Sequence, residues 1–205
     1  MAGGFGGLEF KNSTTVSTII PDVPQYTPID HSENGGDLAF NTTAVAGYAW
    51  DFSNQYHLAL EAFTDSNNAQ LTFEKSVALI FNENSTFNLR SVYGLRVLPG
   101  YAVTEQTNVY AILGVARAHT TLTDNLNSEG TTMTQKTNYD FTGYQVGLGE
   151  QTQLTPHVLL RGDLIYTDYP TKTVDESYGN NSATAVIQLK PSTIEANLLL
   201  GYQFG

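Results

Sequence analysis

The sequence predicts an eight-stranded antiparallel up-and-down transmembrane β-barrel, and three observations predict it. Period-2 alternation of apolar and polar residues recurs in eight segments, each as long as the roughly 9–11 tilted residues that cross a bilayer. The connections between them alternate strictly between short and long. Only 14% of the 205 residues are charged, yet no apolar run approaches the roughly 18 residues of a membrane helix. A single texture runs through 1–205, with no linker or charge block, so one domain is expected.

The segments fall at roughly 3–14, 38–52, 55–65, 86–103, 108–123, 140–154, 157–170 and 193–204. Ser53-Asn54, Thr104 to Thr107 and Thr155-Pro156 make the short turns. The long connections are 15–37, 66–85, 124–139 and 171–192. Alternating pieces within two of these, Leu71 to Phe81 and Ala183 to Leu189, are read as strand extensions or hairpins above the membrane. Two further spanning strands would reverse the strands between them and put short turns outside.

Face assignment is clearest in the last strand, where Ile194, Ala196, Leu198, Leu200, Tyr202 and Phe204 alternate with Thr193, Glu195, Asn197 and Gln203. A soluble ligand-binding barrel would turn the apolar set inward. Aromatics at the strand ends favour apolar-out instead. Tyr48, Trp50, Phe52, Tyr56, Tyr101, Tyr202 and Phe204 form a girdle at the quiet rim, and Phe40, Phe87 and Tyr166 one at the other. In the fifth segment Val109, Ala111, Leu113 and Val115 are placed toward lipid, with Arg117 at the outer interface. In the sixth, Tyr144, Val146 and Leu148 face lipid, and Glu150 follows in phase near the turn unless a bulge intervenes.

The opposite faces then define a lumen charge network of Glu9, Lys11, Glu61, Arg90, Arg96, Arg161, Asp163 and Glu195, with His57 and Asp51 beside it. Unpaired buried charge is costly, so mutual pairing is expected, centred on Glu61, Arg96, Arg161, Asp163 and Glu195. A narrow barrel filled in this way is closed. A gate that briefly admits small ions by swapping ion-pair partners is the alternative.

Composition excludes several functions. With no cysteine, disulfides, thiolate metal sites and cysteine nucleophiles are ruled out. A formal charge of −11 excludes a nucleic-acid partner. His31, His57, His119 and His157 have no metal-ligand spacing, so neither a metal nor a cofactor is expected. Catalysis is not expected. If present, it would centre on His119 with a Ser or Thr and an acid from the outer rim, and Thr120, Thr121 and Asp124 are near it in sequence. The long connections and the strand ends beside them form an acidic crown containing Asp22, Asp30, Glu33, Asp37, Asp65, Glu74, Glu83, Asp124, Glu129, Asp140, Asp175 and Glu176.

Tyr144-Gln-Val-Gly-Leu-Gly149, Leu154-Thr-Pro156, Val158-Leu-Leu-Arg-Gly-Asp163 and Tyr166-Thr-Asp-Tyr169 resemble OmpA-type transmembrane barrels and the related opacity-protein, or porin-family, barrels. Pro99-Gly100-Tyr101 and Val109 to Gly114 are similar to that family's fourth and fifth strands. The resemblance implies a salt-bridged interior in which Glu61 and Arg161 match the gate pair. It also implies roles in membrane integrity and in adhesion to host cells. Gln151 replaces an acid usual in the family's sixth strand, and Gly205 follows the expected terminal Phe204. Implied partners are the lipid bilayer, lipopolysaccharide, the barrel-assembly machinery and host-surface molecules, with the chain a monomer. The expected location is the bacterial outer membrane, after loss of a signal peptide and without a cell-wall tether. A lipid-modifying enzyme is the least favoured reading.

Overall fold

In the computed structural model, residues 1–19, 31–52, 55–77, 81–128, 131–178 and 183–204 are described. Asp22, Asp30, Glu129 and the Ser53-Asn54 turn lie outside the described residues.

Strands form where side chains alternate between two solvents, hydrocarbon outside and the packed lumen inside. Ten are described: β1 (Ala2–Ile19), β2 (His31–Asp51), β3 (Tyr56–Asn67), β4 (Gln70–Val77), β5 (Phe81–Ala102), β6 (Thr107–Ser128), β7 (Thr131–Gln153), β8 (Val158–Asp168), β9 (Lys172–Tyr178) and β10 (Ala183–Tyr202). Every pairing is antiparallel, and the ring β1-β2-β3-β5-β6-β7-β8-β10 closes by β10 on β1, from Ala2↔Gly201 to Ile19↔Thr184. Eight strands therefore make the barrel. β4 continues the course of β3 upward along β5, and β9 continues that of β8 along β10. The two alternating pieces are thus extensions above the membrane, as their spacing predicts.

The strands outrun their expected limits on the elaborate rim. Most of 15–37, 124–139 and 171–192 is paired strand, so the crown is built largely of sheet and not of loop. Above the bilayer the ring splits in two. β2 pairs with β3 no higher than Asn41↔Asn67, and β7 with β8 no higher than Tyr144↔Asp168. What rises above is one sheet of β9-β10-β1-β2 and another of β4-β5-β6-β7. Each cleft is tied at its base: Gln70 N donates to Asp37 Oδ2 (3.0 Å), and Lys172 Nζ donates to the Asp140 carbonyl (3.4 Å).

On the quiet rim, threonine hydroxyls fix the turns. Thr104 Oγ1 accepts from the Thr107 amide at 3.0 Å, and Thr155 Oγ1 from the Val158 amide at 3.1 Å.

The apolar faces point outward. Leu58 is half-buried, while Leu60, Leu113, Val115, Leu148, Leu164, Leu198 and Leu200 are exposed, as is the whole quiet-rim girdle Tyr48, Trp50, Phe52, Tyr56, Tyr101, Tyr202 and Phe204. The girdle rings touch in pairs, Tyr48 with Trp50 (5.0 Å), Tyr56 with Tyr101 (5.4 Å) and Tyr202 with Phe204 (4.9 Å). The odd-numbered set of β6 faces lipid, as expected. β7 keeps its register with β8 through Gly149↔Asp163 and Glu150↔Gly162, so Glu150 points outward in phase and no bulge is needed.

Three expectations about phase are corrected. Glu9 and Lys11 stand outside the barrel, paired with each other at 3.1 Å, while Leu8 and Phe10 fill the lumen. The expectation placed both charges inward, whereas at their height the lumen is apolar and the outer interface is wet. Arg90 is exposed, because a register shift between Leu89 and Ser91 breaks the β5 alternation. The same shift puts Phe87 inside, wholly buried, and not in the outer girdle.

Candidate functional site: a two-tier lumen and an outer collar

Inward residues of β3, β5, β6, β7, β8 and β10 converge in a polar lower tier. Arg161 joins it together: Nη1 donates to Glu61 Oε2, Nη2 to Glu61 Oε1 (3.2 Å), and Nε to Asp163 Oδ2 (2.8 Å). Tyr110 Oη donates to Asp163 Oδ1 at 2.6 Å. Arg96 lies one step higher, 3.8 Å from both Glu61 and Asp65, and its Nε donates to Gln145 Oε1 (2.9 Å). Gln145 passes the chain on to Thr167 at 3.0 Å, and the Arg96 guanidinium lies 3.5 Å over the Phe63 ring. Glu195 accepts from the Thr193 hydroxyl at 3.2 Å. Across β1, Asn41 Nδ2 donates to Asn197 Oδ1 at 2.9 Å, and a Cβ at Gly6 would strike both side chains.

The structure thus joins Glu61, Arg96, Arg161 and Asp163 by ion pairs, adds Asp65 to them, buries Glu195 on the Thr193 hydroxyl and not in an ion pair among the described residues, and leaves out Glu9, Lys11 and Arg90. His57 stands at the quiet-rim mouth beneath Gly100, and Asp51 is exposed opposite it. Sequence reasoning assigned Asp65 to the second loop. Continuing the β3 alternation by one more step past Glu61 and Phe63 would have found it.

Packing against Gly149 is tight. A Cβ on Gly149 would overlap the Tyr110 ring and Asp163 Oδ1. Gly149→Val is therefore expected to cost about 1–3 kcal/mol or more, through displacement of the Tyr110–Asp163 bond. Gly162, two residues along β8 from Leu164, has open space around it, and Gly162→Ala should leave the unfolding free energy, measured in urea, within about 0.5 kcal/mol of wild type.

The upper tier is an apolar stopper. Phe10 stacks on Phe87 (5.6 Å between centroids), Phe87 meets Phe141 edge-on (6.1 Å), and Phe141 meets Tyr169 (6.4 Å). Leu8, Leu71, Leu122 and Leu189 pack around them, all buried. Expecting a polar lumen throughout hid this tier from the sequence reading.

Outside, the lipid-facing band gives way to a charged collar. On β6 the outward series Val109, Leu113, Val115 ends in Arg117 and His119. On β10 it ends in Lys190, and on β1 in Glu9 and Lys11. Arg117 Nη2 donates to Asp140 Oδ2 at 2.8 Å, and His119 Nδ1 bonds Asp140 Oδ1. Thr120 is buried on the opposite face from His119, whereas Thr121 shares the His119 face and donates to Asn138 Oδ1 at 2.9 Å. Among the described residues no group of three or more His, Asp or Glu could hold a metal.

A closed eight-stranded antiparallel barrel, apolar without, polar and aromatic within and girdled by aromatics, defines an integral barrel of the bacterial outer membrane. The chain belongs to the outer membrane protein β-barrel domain family, whose profile matches residues 3–204. No curated protein matches it in sequence. Solved structures to which the chain is similar at low identity include the following three. The attachment invasion locus protein Ail of Yersinia pestis is 12% identical, with a TM-score of 0.35 over 94% of this chain and 98% of that one. The outer membrane protease OmpT of Escherichia coli is 10% identical, with a TM-score of 0.47 over 98% and 96%. OprG of Pseudomonas aeruginosa is 15% identical, with a TM-score of 0.42 over 98% and 96%.

Proposed function

We propose that this single-domain, monomeric barrel stabilises the outer membrane as a closed structural element and presents its crown to partners at the cell surface, host molecules among them. The observation that carries the reading is the filled lumen under a tall crown. Two tiers of side chains occupy the interior, which favours a closed barrel over a gated pore. The strands meanwhile continue well above the lipid band, and a membrane anchor alone does not need that length. Lipopolysaccharide is the immediate neighbour of the Lys11, Arg90, Arg117 and Lys190 collar. Barrels of this kind reach the membrane through the barrel-assembly machinery.

The test removes the crown and keeps the barrel. Deleting 123–136 and joining Leu122 to Thr137 through an Asn-Gly turn shortens the β6–β7 hairpin at a paired position. The variant is expected to retain heat-modifiable migration on unboiled gels while adherence of expressing bacteria to cultured epithelial cells falls by about tenfold. Full adherence by a folded variant would refute a role for this hairpin.

A further inference from the structure

We propose that the outer collar carries a hydrolytic site for carboxylic acyl esters of membrane lipids, with Ser91 as nucleophile, His119 as general base and Asp140 as the residue that positions the base. The register aligns the three on adjacent strands: Ser91 on β5 pairs with His119 on β6, and His119 pairs with Asp140 on β7. Direct cross-strand partners share a face with Cβ atoms about 4.5–5.5 Å apart. That face is the outer one, since His119 and Asp140 are both substantially exposed and the other cross-strand partner of Ser91, Ser66, is exposed as well.

The imidazole is oriented from both sides. Nδ1 bonds Asp140 Oδ1, whose carboxylate is itself held by Arg117. The Tyr93 ring lies 5.4 Å away on the β5 side. With Nδ1 committed to Asp140 on β7, Nε2 is the nitrogen left to serve Ser91, the partner of His119 on β5. This is the arrangement of a nucleophile, a base and a group that fixes the base. Neither Ser91 Oγ nor His119 Nε2 has a hydrogen-bond partner among the described residues. The bulge that moves Ser91 into this register is the one shift in the β5–β6 ladder. Bulges re-aim side chains, and they gather at active sites. The same bulge exposes Arg90 beside Ser91, a positive charge on the side where an oxyanion develops.

The height of the site selects the substrate. The three residues lie just above the last lipid-facing apolar residues of β6, where ester linkages of outer-leaflet lipids lie. In the reaction, Ser91 Oγ bonds the ester carbonyl carbon as His119 Nε2 takes the hydroxyl proton. The carbon–alkoxy bond breaks, and His119 returns the proton to the departing alcohol. Water then attacks the acyl-Ser91 ester, again through His119, releasing a fatty acid and restoring Ser91.

The experiment uses the full chain refolded in vesicles of phosphatidylethanolamine or of phosphatidylethanolamine with lipid A. It reads fatty-acid release and labelling by a long-chain fluorophosphonate. We expect a mass increment on Ser91, lost in Ser91→Ala. His119→Gln should cut ester hydrolysis by about a hundredfold. Asp140→Asn should lower kcat with KM unchanged, since it acts only through the base. Release from both vesicle types assigns the ester to phospholipid, and release only where lipid A is present assigns it to lipid A. Heat-modifiable migration checks that each variant is folded. No label on Ser91 in folded wild type, or hydrolysis that persists in Ser91→Ala, would overturn the proposal.

Discussion

Replacing Arg161 with Met is expected to destabilise the barrel by about 3–5 kcal/mol, measured as a lower urea midpoint for unfolding from vesicles. The size follows from what the substitution leaves behind. Arg161 is buried and serves two carboxylates at once, Glu61 and Asp163. Without it both acids remain in the lumen, and only Glu61 retains a second guanidinium, that of Arg96 at 3.8 Å. Removing the other partner costs less. In Glu61→Gln, Arg161 keeps Asp163, and the amide still accepts a hydrogen bond, so about 1–3 kcal/mol is expected. The asymmetry is the diagnostic. Equal losses for Arg161→Met and Glu61→Gln would mean the two residues form an isolated pair. The result predicted here, with Arg161 costing clearly more, requires the three-residue cluster.

Alternation exposed most of the barrel in the sequence because each spanning strand meets two different solvents and its side chains must change sides at every residue. Leu198 and Leu200 against Glu195 and Asn197 could be sorted by chemistry alone. The method failed where its premise failed. On β1 the choice was between burying Glu9 and Lys11 or burying Leu8 and Phe10. The rule that charges fill the lumen decided it wrongly, because at that height hydrocarbon no longer surrounds the barrel and an apolar interior is stable. On β5 the premise of a constant phase broke at Arg90. A bulge leaves no composition signal, so Arg90 and Phe87 were both carried to the wrong side. Asp65 was lost for a third reason: polar Thr64 and Ser66 flank it, and the outward face of β3 stops looking apolar before the strand ends. The collar was half legible. His119 was picked out with an acid and a hydroxyl residue to be found nearby. Its acid and its serine came from other strands, however, and register across strands is fixed by pairing and not by local sequence.

Phe87→Ala is expected to cost about 3–5 kcal/mol, because the ring is fully buried and is shared by Phe10 on one side and Phe141 on the other. Its second consequence is for conductance, on the proposal that the barrel is closed twice in series. In that reading the ionic tier blocks the lower half and the aromatic stopper the upper, and a solute must pass both. Glu61→Gln alone loosens the lower closure and leaves the rings above it in place. Phe87→Ala alone opens a cavity in the upper tier over intact ion pairs. Neither single variant should therefore show conductance events above wild type in planar bilayers, while the folded Glu61→Gln/Phe87→Ala double variant should. Steps as large in Glu61→Gln as in the double variant would mean that the stopper does not seal the barrel, and the gate would then reside in the ion pairs alone.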